Sequence, residues 1–141
     1  LQIGVRIVDW LLGVVRCAER AAGAGQPNVA AERLRDVPRD LRRVCEALAR
    51  EPEAEWPVER MAELARLSPS RFKAKFKERL GLPPREYLLR LRIDVARERL
   101  RDPRTSITEL AYALGFSSSQ YFATVFKRYT LRRPSEERHH R

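Results

Sequence analysis

The chain carries two copies of one short pattern, and that repetition limits its fold more than any other feature. Phe72, Phe76, Lys77 and Pro84 return fifty residues later as Phe122, Phe126, Lys127 and Pro134. Upstream the offset is 49, pairing Met61-Ala62 with Leu110-Ala111 and Leu67-Ser68 with Phe116-Ser117, so one residue is expected to be inserted where the second copy's last helix starts. Each copy reads as a helix of eight or nine residues, a turn of three or four, and a second helix opened by a serine. That is the length grammar of a helix-turn-helix. A plain all-helical bundle with two similar halves has the same spacing, and spacing alone leaves it open.

Apolar side chains at helical spacing place the remaining elements. A helix is expected from about Pro38 to Arg50, with Leu41, Val44, Cys45 and Leu48 inward and Pro52 as its stop. A second begins near Pro57, whose ring-locked φ suits a first turn, and gives Met61, Leu64 and Ala65 to the core. The third has the clearest start. Ser68 offers an oxygen to orphan amides, Pro69 takes the first helical position, and Gly81 supplies the left-handed residue that ends it before Pro83-Pro84. A long fourth helix, about Pro84 to Arg101, carries Leu89, Ile93, Ala96 and Leu100 on one stripe and closes at Asp102-Pro103. The fifth opens with the capping box Ser106-Ile107-Thr108-Glu109, Gly115-Phe116 makes the turn, and the sixth runs from Ser117 to about Tyr129.

Charge adds a partner to this outline. Lys and Arg number 29 against 19 Asp and Glu, a net +10. Residues 1–37 hold five basic and four acidic residues, and residues 38–141 hold 24 and 15, so nearly all the excess lies in the repeated part. A polyanion is one reading of that excess and an Arg-rich surface of no particular use is the other, and charge alone weighs them evenly. The repeat tips the balance, because Arg71, Lys73, Lys75 and Lys77 stand on the outward face of the helix that such a motif inserts into DNA. At about 1.5 Å per residue, the roughly 18 residues of the fourth helix span about 27 Å. A spacer of that size suits two reading helices about one DNA turn, roughly 34 Å, apart in successive major grooves.

Catalysis has little to work with. His139 and His140 are the two histidines and fall in the tail, and Glu46, Glu63 and Asp94 stand singly on their helices. Cys17 and Cys45 lie far apart on apolar faces, so core thiols are expected rather than a metal site or disulfide. Neither an enzyme nor a cofactor nor a metal is expected. With no run of 18 apolar residues a membrane span is not required, and a cytoplasmic, nucleoid-associated protein is the expectation.

Residues 1–22 have Ile3, Ile7, Trp10, Leu11, Val14 and Ala18 on one face, widened by Val5, Val8, Leu12 and Val15. An amphipathic helix that seeks burial against something larger follows. The chain opens without Met and in mid-helix, which suggests a fragment whose preceding domain is absent; a secretory signal is disfavoured by Arg6, Asp9 and Arg16. Residues 23–37, with two Gly and a Pro, read as a linker, residues 38–138 as the repeated domain, and residues 139–141 as a tail.

The run Leu67-Ser68-Pro69-Ser70-Arg71-Phe72 with Phe76-Lys77, Gly81 and Pro84, and the run Leu110-Ala111 with Leu114-Gly115-Phe116-Ser117, Tyr121-Phe122, Phe126-Lys127 and Pro134, resemble the DNA-binding domain of AraC/XylS-type transcription regulators. The resemblance covers about residues 38–138. It implies an all-α, homeodomain-like fold of seven helices, two helix-turn-helix subdomains joined by a long central helix, with residues 1–22 as the last helix of a sensing or dimerisation domain. It implies a bacterial regulator reading a double-stranded operator, with helices over 68–80 and 117–129 in successive major grooves. RNA polymerase is a second implied partner, a homodimer would form through the N-terminal region, and a small-molecule effector would act through a domain outside this chain. The alternative is a helical module that docks the polymerase or a regulatory partner without reading bases.

By position, the resemblance assigns base reading to Ser70, Arg71, Lys73 and Ala74 in the first unit and to Ser119, Gln120, Ala123 and Thr124 in the second. The chemistry fits in part: Arg71 or Lys73 suits guanine O6/N7, Gln120 adenine, and Ala123 or Thr124 a thymine methyl. Phosphates fall to Ser68, Lys77, Ser117, Lys127, Arg128 and Arg132. Three positions depart from the pattern. Ala74 stands where the family often has Arg, Leu131 where Gly usually ends the helix, and Glu137 where an aromatic is usual. Because a leucine enters the left-handed region at a cost, the chain after Leu131 is expected to leave the pattern and residues 135–141 to fray. Phe72, Phe76, Phe122 and Phe126 are core, Tyr112 and Tyr121 packing residues with exposed hydroxyls. Trp56 packs where the second helix begins, and the arginines at 90, 92, 97, 99 and 101 form a solvated, intrahelically paired face.

Overall fold

The computed structural model describes residues 36–139. The helix expected over 1–22 lies outside the described residues, as do Cys17, most of the linker, and residues 140 and 141. The described residues form seven α-helices and no strand: α1 Arg39–Arg50, α2 Val58–Ala65, α3 Pro69–Leu80, α4 Pro84–Arg99, α5 Ile107–Ala113, α6 Ser119–Thr130 and α7 Pro134–His139. None of these helices is long and apolar enough to cross a membrane. The chain divides within α4, after Leu91, into two compact units, and the short segment Pro52–Glu55 belongs to the second although its sequence neighbours belong to the first.

In the first unit, α1 buries Leu41, Val44, Cys45 and Leu48, as the spacing predicts. Met61, Ala62 and Ala65 meet them from α2, and Phe72, Phe76 and Leu80 from α3. The expected Leu64 is only half-buried: the buried side of α2 is Met61, Ala62 and Ala65, and Leu64 lies at its margin. Tyr87, at the start of α4, completes the core: its ring meets Phe76 edge-on at 5.4 Å, and Phe76 meets Phe72 at 5.5 Å. Such pairs add about 0.5–1.5 kcal/mol beyond the area they bury. Burial pushes the Cys45 thiol up to about 12, against the opposing pull of a hydrogen bond with Tyr87, so this cysteine is an inert core group.

The second unit is built around Leu110, Ala111, Leu114, Phe116, Phe122, Val125 and Phe126, with Ile93 and Ala96 from α4 and Leu100 just past its end. Phe116 is buried in this core, its ring 5.1 Å from that of Phe122 and 5.8 Å from that of Tyr121. Of the stripe expected on the fourth helix, Ile93, Ala96 and Leu100 are buried; Leu89 is corrected to half-buried, and Tyr87, Leu88 and Leu91 pack as well. Its helix also stops at Arg99, two residues early, because Asp102 accepts from the Arg104 N–H at 2.9 Å and its carbonyl from the Thr105 N–H at 3.1 Å, closing a turn around Pro103.

The C-terminal end overturns one expectation. Leu131 does enter the left-handed region, at φ 62°, and its N–H closes on the Lys127 carbonyl at 2.8 Å, as a C-terminal glycine would. The Thr130 hydroxyl makes this tolerable: it lies 2.8 Å from the Phe126 carbonyl and accepts from the Arg132 N–H at 3.2 Å, bracing the turn on both sides. Residues 134–139 then form α7 instead of fraying. Glu137, in place of the aromatic, pairs with Arg97 at 3.0 Å, and Arg138 donates to the Thr105 carbonyl.

Candidate nucleic-acid interface

Each helix-turn-helix presents one helix with two unlike faces. In α3 the positions at Phe72, Phe76 and Leu80 point into the first core. The remaining face carries Ser70, Arg71, Lys73, Ala74 and Lys77, all exposed. The helix starts where the sequence places it: the Ser68 hydroxyl accepts from the Arg71 N–H at 3.3 Å, Pro69 is the first helical residue, and Gly81 at φ 81° ends it. Two other residues shape the way in. Pro57 stands just before α2 rather than in its first turn, and Arg66 takes φ 57° in the turn, the place that Gly115, at φ 85°, fills in the second unit.

Lys75 is not part of the outward face. Its ammonium is 2.7 Å from Asp40 on α1, with both side chains partly covered, so it ties α3 back to the body of the unit. Burial acts to raise the Asp40 carboxyl, but hydrogen bonds from Lys75 and the Leu41 N–H outweigh it and hold the group below the usual carboxylate range. The exposed cationic side chains of α3 are Arg71, Lys73, Lys77 and, in its last turn, Arg79.

In α6 the buried face is Phe122, Val125 and Phe126. Its start corrects the sequence reading. Ser118, not Ser117, is the cap, accepting from the Tyr121 N–H at 3.0 Å, and Ser117 is an exposed turn residue. The extra residue of the second copy therefore lies in the turn. The offset of fifty that joins Phe72 to Phe122 already joined Ser68 to Ser118, and that signal was sufficient to find the cap.

The shift of cap changes what α6 offers. Counted from Ser118, the counterparts of Ser70 and Arg71 are Gln120 and Tyr121, and both are exposed. Ser119, at the position of Pro69, is half-buried, as is Ala123. Thr124, Lys127 and Arg128 are exposed, and Arg132 is half-buried. The Thr124 hydroxyl donates to its own helix at the Gln120 carbonyl, 3.0 Å away. Tyr121 packs as expected, its ring 5.8 Å from that of Phe116, while 37% of the residue stays open; the sequence reading left it out of the candidate site although it stands at the position of Arg71. Tyr112, on α5, is more open still.

The arginines of α4 are not a uniform solvated face. Arg97 reaches Glu137 on α7, and Arg101 with Glu98, at 3.3 Å, shows the local pairing expected. Arg92 is turned inward, its Nε 2.8 Å from the Pro52 carbonyl and its Nη2 3.0 Å from that of Ala54. Trp56 packs at the start of α2 as expected, its indole N–H on the Glu51 carbonyl at 2.8 Å and the Arg60 guanidinium 4.0 Å from its ring centre. Among the described residues there is no group of three or more His, Cys, Asp or Glu placed to hold a metal ion.

Comparison with known proteins agrees with this geometry. Residues 61–140 match the family model described as a helix-turn-helix domain. A putative AraC-like transcription regulator of Streptomyces lividans is 34% identical over 93 residues, which cover 66% of this chain and 31% of that protein. The transcriptional activator RhaS of Escherichia coli is 41% identical over 76 residues, 54% of this chain and 27% of that one. The chain thus spans about a third of the length of the curated relatives it matches. Among solved structures, an AraC-type DNA-binding domain protein from Chromobacterium violaceum superposes with a TM-score of 0.66 at 28% identity, covering 71% of this chain and 89% of the other. A DNA-binding transcriptional dual regulator of Escherichia coli does so at 0.64 and 28%, covering 72% and 91%. With two serine-capped helices on two small cores and a family match across more than half of its length, the chain belongs to the AraC-type helix-turn-helix family of transcription regulators.

Proposed function

We propose that this chain reads double-stranded DNA by sequence, with α3 and α6 each laid in a major groove, as the operator-binding part of a bacterial transcription regulator. One observation carries the proposal: in each unit the serine-capped second helix buries its aromatic face in its own core and leaves a polar, net cationic face open. A helix held in this way is rigid without needing its outer face, and that face has the donors that base edges accept. Ser70, Arg71, Lys73 and Ala74 would face bases in the first unit; Gln120, Tyr121, Ala123 and Thr124, with Ser119 at the margin, in the second. Lys77, Lys127, Arg128 and Arg132 would take phosphates, with Ser68 and Ser117 beside the helix starts.

The sixteen residues of α4 run about 24 Å at 1.5 Å each, and adjacent grooves are the proposed targets of the two readers. Contact with RNA polymerase, pairing through the N-terminal region and control by an effector are proposed for the longer protein of which relatives give the pattern, acting in the cytoplasm where the chromosome lies. Selection of bound duplexes from a random library tests the proposal. Two specified segments about 10–10.5 base pairs apart are expected. Equal affinity for selected and scrambled duplexes would overturn it. Within a selected site, Arg71→Ala is expected to cost about 1–3 kcal/mol and relax one base position, while Lys77→Ala weakens all sequences alike and lowers the salt slope by about 1.

A further inference from the structure

The unusual placement of Arg92 has a use. Its side chain leaves α4 and is gripped on two edges by the carbonyls of Pro52 and Ala54, a strap of chain that belongs to the second unit. The Glu53 carboxylate of the same strap favours its charge, although burial, the larger effect, acts against it. The other surface of the guanidinium lies on Gly115. A Cβ built there would sit 3.2 Å from Cζ, 3.2 Å from Nη2 and 3.3 Å from Nη1, and near-equal distances to three atoms of one plane mean that the plane is stacked flat on the glycine. Glycine at 115 thus serves twice: it adopts φ 85° without strain, and it spares the guanidinium the shift of a few tenths of an ångström that a Cβ would force.

Gly115 leads directly to α6. Its N–H is bonded to the Tyr112 carbonyl at 3.0 Å and the next N–H, of Phe116, to the Ala111 carbonyl at 3.0 Å, while the Phe116 ring packs on Phe122 and Tyr121. A continuous path runs from the strap through the guanidinium plane and the turn to the outer face of the reading helix. We propose that Arg92 is a positioning residue for base reading by the second unit: held by the strap, its plane sets the α5–α6 turn and so the angle at which α6 meets DNA. Only arginine has the fork for two carbonyls and the flat surface for the glycine, so lysine is no substitute.

The inference rests on the proposed DNA-reading role, and two measurements keep their fates separate. In the first, Arg92→Lys and Arg92→Met are compared with the parent chain by anisotropy on a selected duplex and on duplexes with either half-site scrambled, at a temperature where circular dichroism shows each protein folded. Discrimination at the second unit's half-site is expected to fall by about fivefold or more, the lower end of what one base contact carries, with the first half-site and the salt slope unchanged. Equal losses at both half-sites, a slope reduced by about 0.9 as for a phosphate contact, or full function in Arg92→Lys would each overturn the proposal. The second needs no DNA: hydrogen exchange at the Phe116 and Tyr121 amides is expected to quicken in Arg92→Lys while the Phe72 amide of α3 stays as protected as before. Unchanged exchange in the turn, or loss of structure throughout Arg92→Lys, would overturn it. If no duplex is bound specifically but the turn amides respond, the DNA-reading role fails and the link between Arg92 and the turn stands.

Discussion

Single residues decide where this chain obeys its pattern and where it departs. Leu131 adopts φ 62° with its side chain 84% exposed, so the leucine contributes no burial to offset the left-handed backbone. Leu131→Gly is expected to stabilise the chain by about 0.5–1 kcal/mol, seen as a higher urea midpoint at constant m value; an unchanged or lower midpoint would show that the Thr130 brace already removes the strain. Asp40 gives a pH-dependent counterpart. Its folded pKa is depressed, so its contribution is present above the unfolded carboxylate range and is lost as pH falls through the folded value. With Lys75 34% and Asp40 26% exposed, Asp40→Asn is expected to cost less than about 1 kcal/mol near pH 7, and less still as pH falls below the unfolded carboxylate range, checked by denaturation at neutral and acid pH. The sequence showed which residues are apolar and which carry charge. It did not show that Lys75 and Arg92 spend their charge inside the protein, because those partners lie 35 to 40 residues away in the chain.

At the level of the element, legibility followed the strength of local signals. Helix α3 has a serine cap, a proline in its first turn and a glycine past its end, and its bounds were read correctly. Helix α6 offers three serines in a row, and composition does not choose among them; the choice falls to Ser118 because Phe116 must reach the core while the cap hydroxyl reaches the Tyr121 N–H. This yields a direct test. Ser118→Ala is expected to cost about 1 kcal/mol and Ser117→Ala close to nothing, measured as thermal or urea unfolding; the reverse order would restore the register that puts Ser119 on the reading face. Helix α7 had no local signal, and only the resemblance, with its seven helices, implied it. Its six residues are mostly polar, and Arg97–Glu137 and Arg138–Thr105 hold it from outside.

On the scale of the whole molecule, the repeat showed two helix-turn-helix units, but it gave no hint that the chain divides inside a continuous helix or that four residues of the first half of the chain serve the second unit. Small cores leave little reserve. Phe122→Ala is expected to cost about 3–5 kcal/mol and to abolish footprint protection over the second half-site before the first; simultaneous loss of both would mean that the units unfold as one. The strap also bears on biosynthesis. Pro52 leaves the ribosome 40 residues ahead of the arginine that will grip it, an interval of about 2–8 s at ordinary translation speeds. The N-terminal helices can close on one another during that interval, whereas the later helix-turn-helix draws one of its supports from chain already made, so a gene fragment beginning at Arg92 would encode both helices of the second reader without the carbonyls that steady the turn between them.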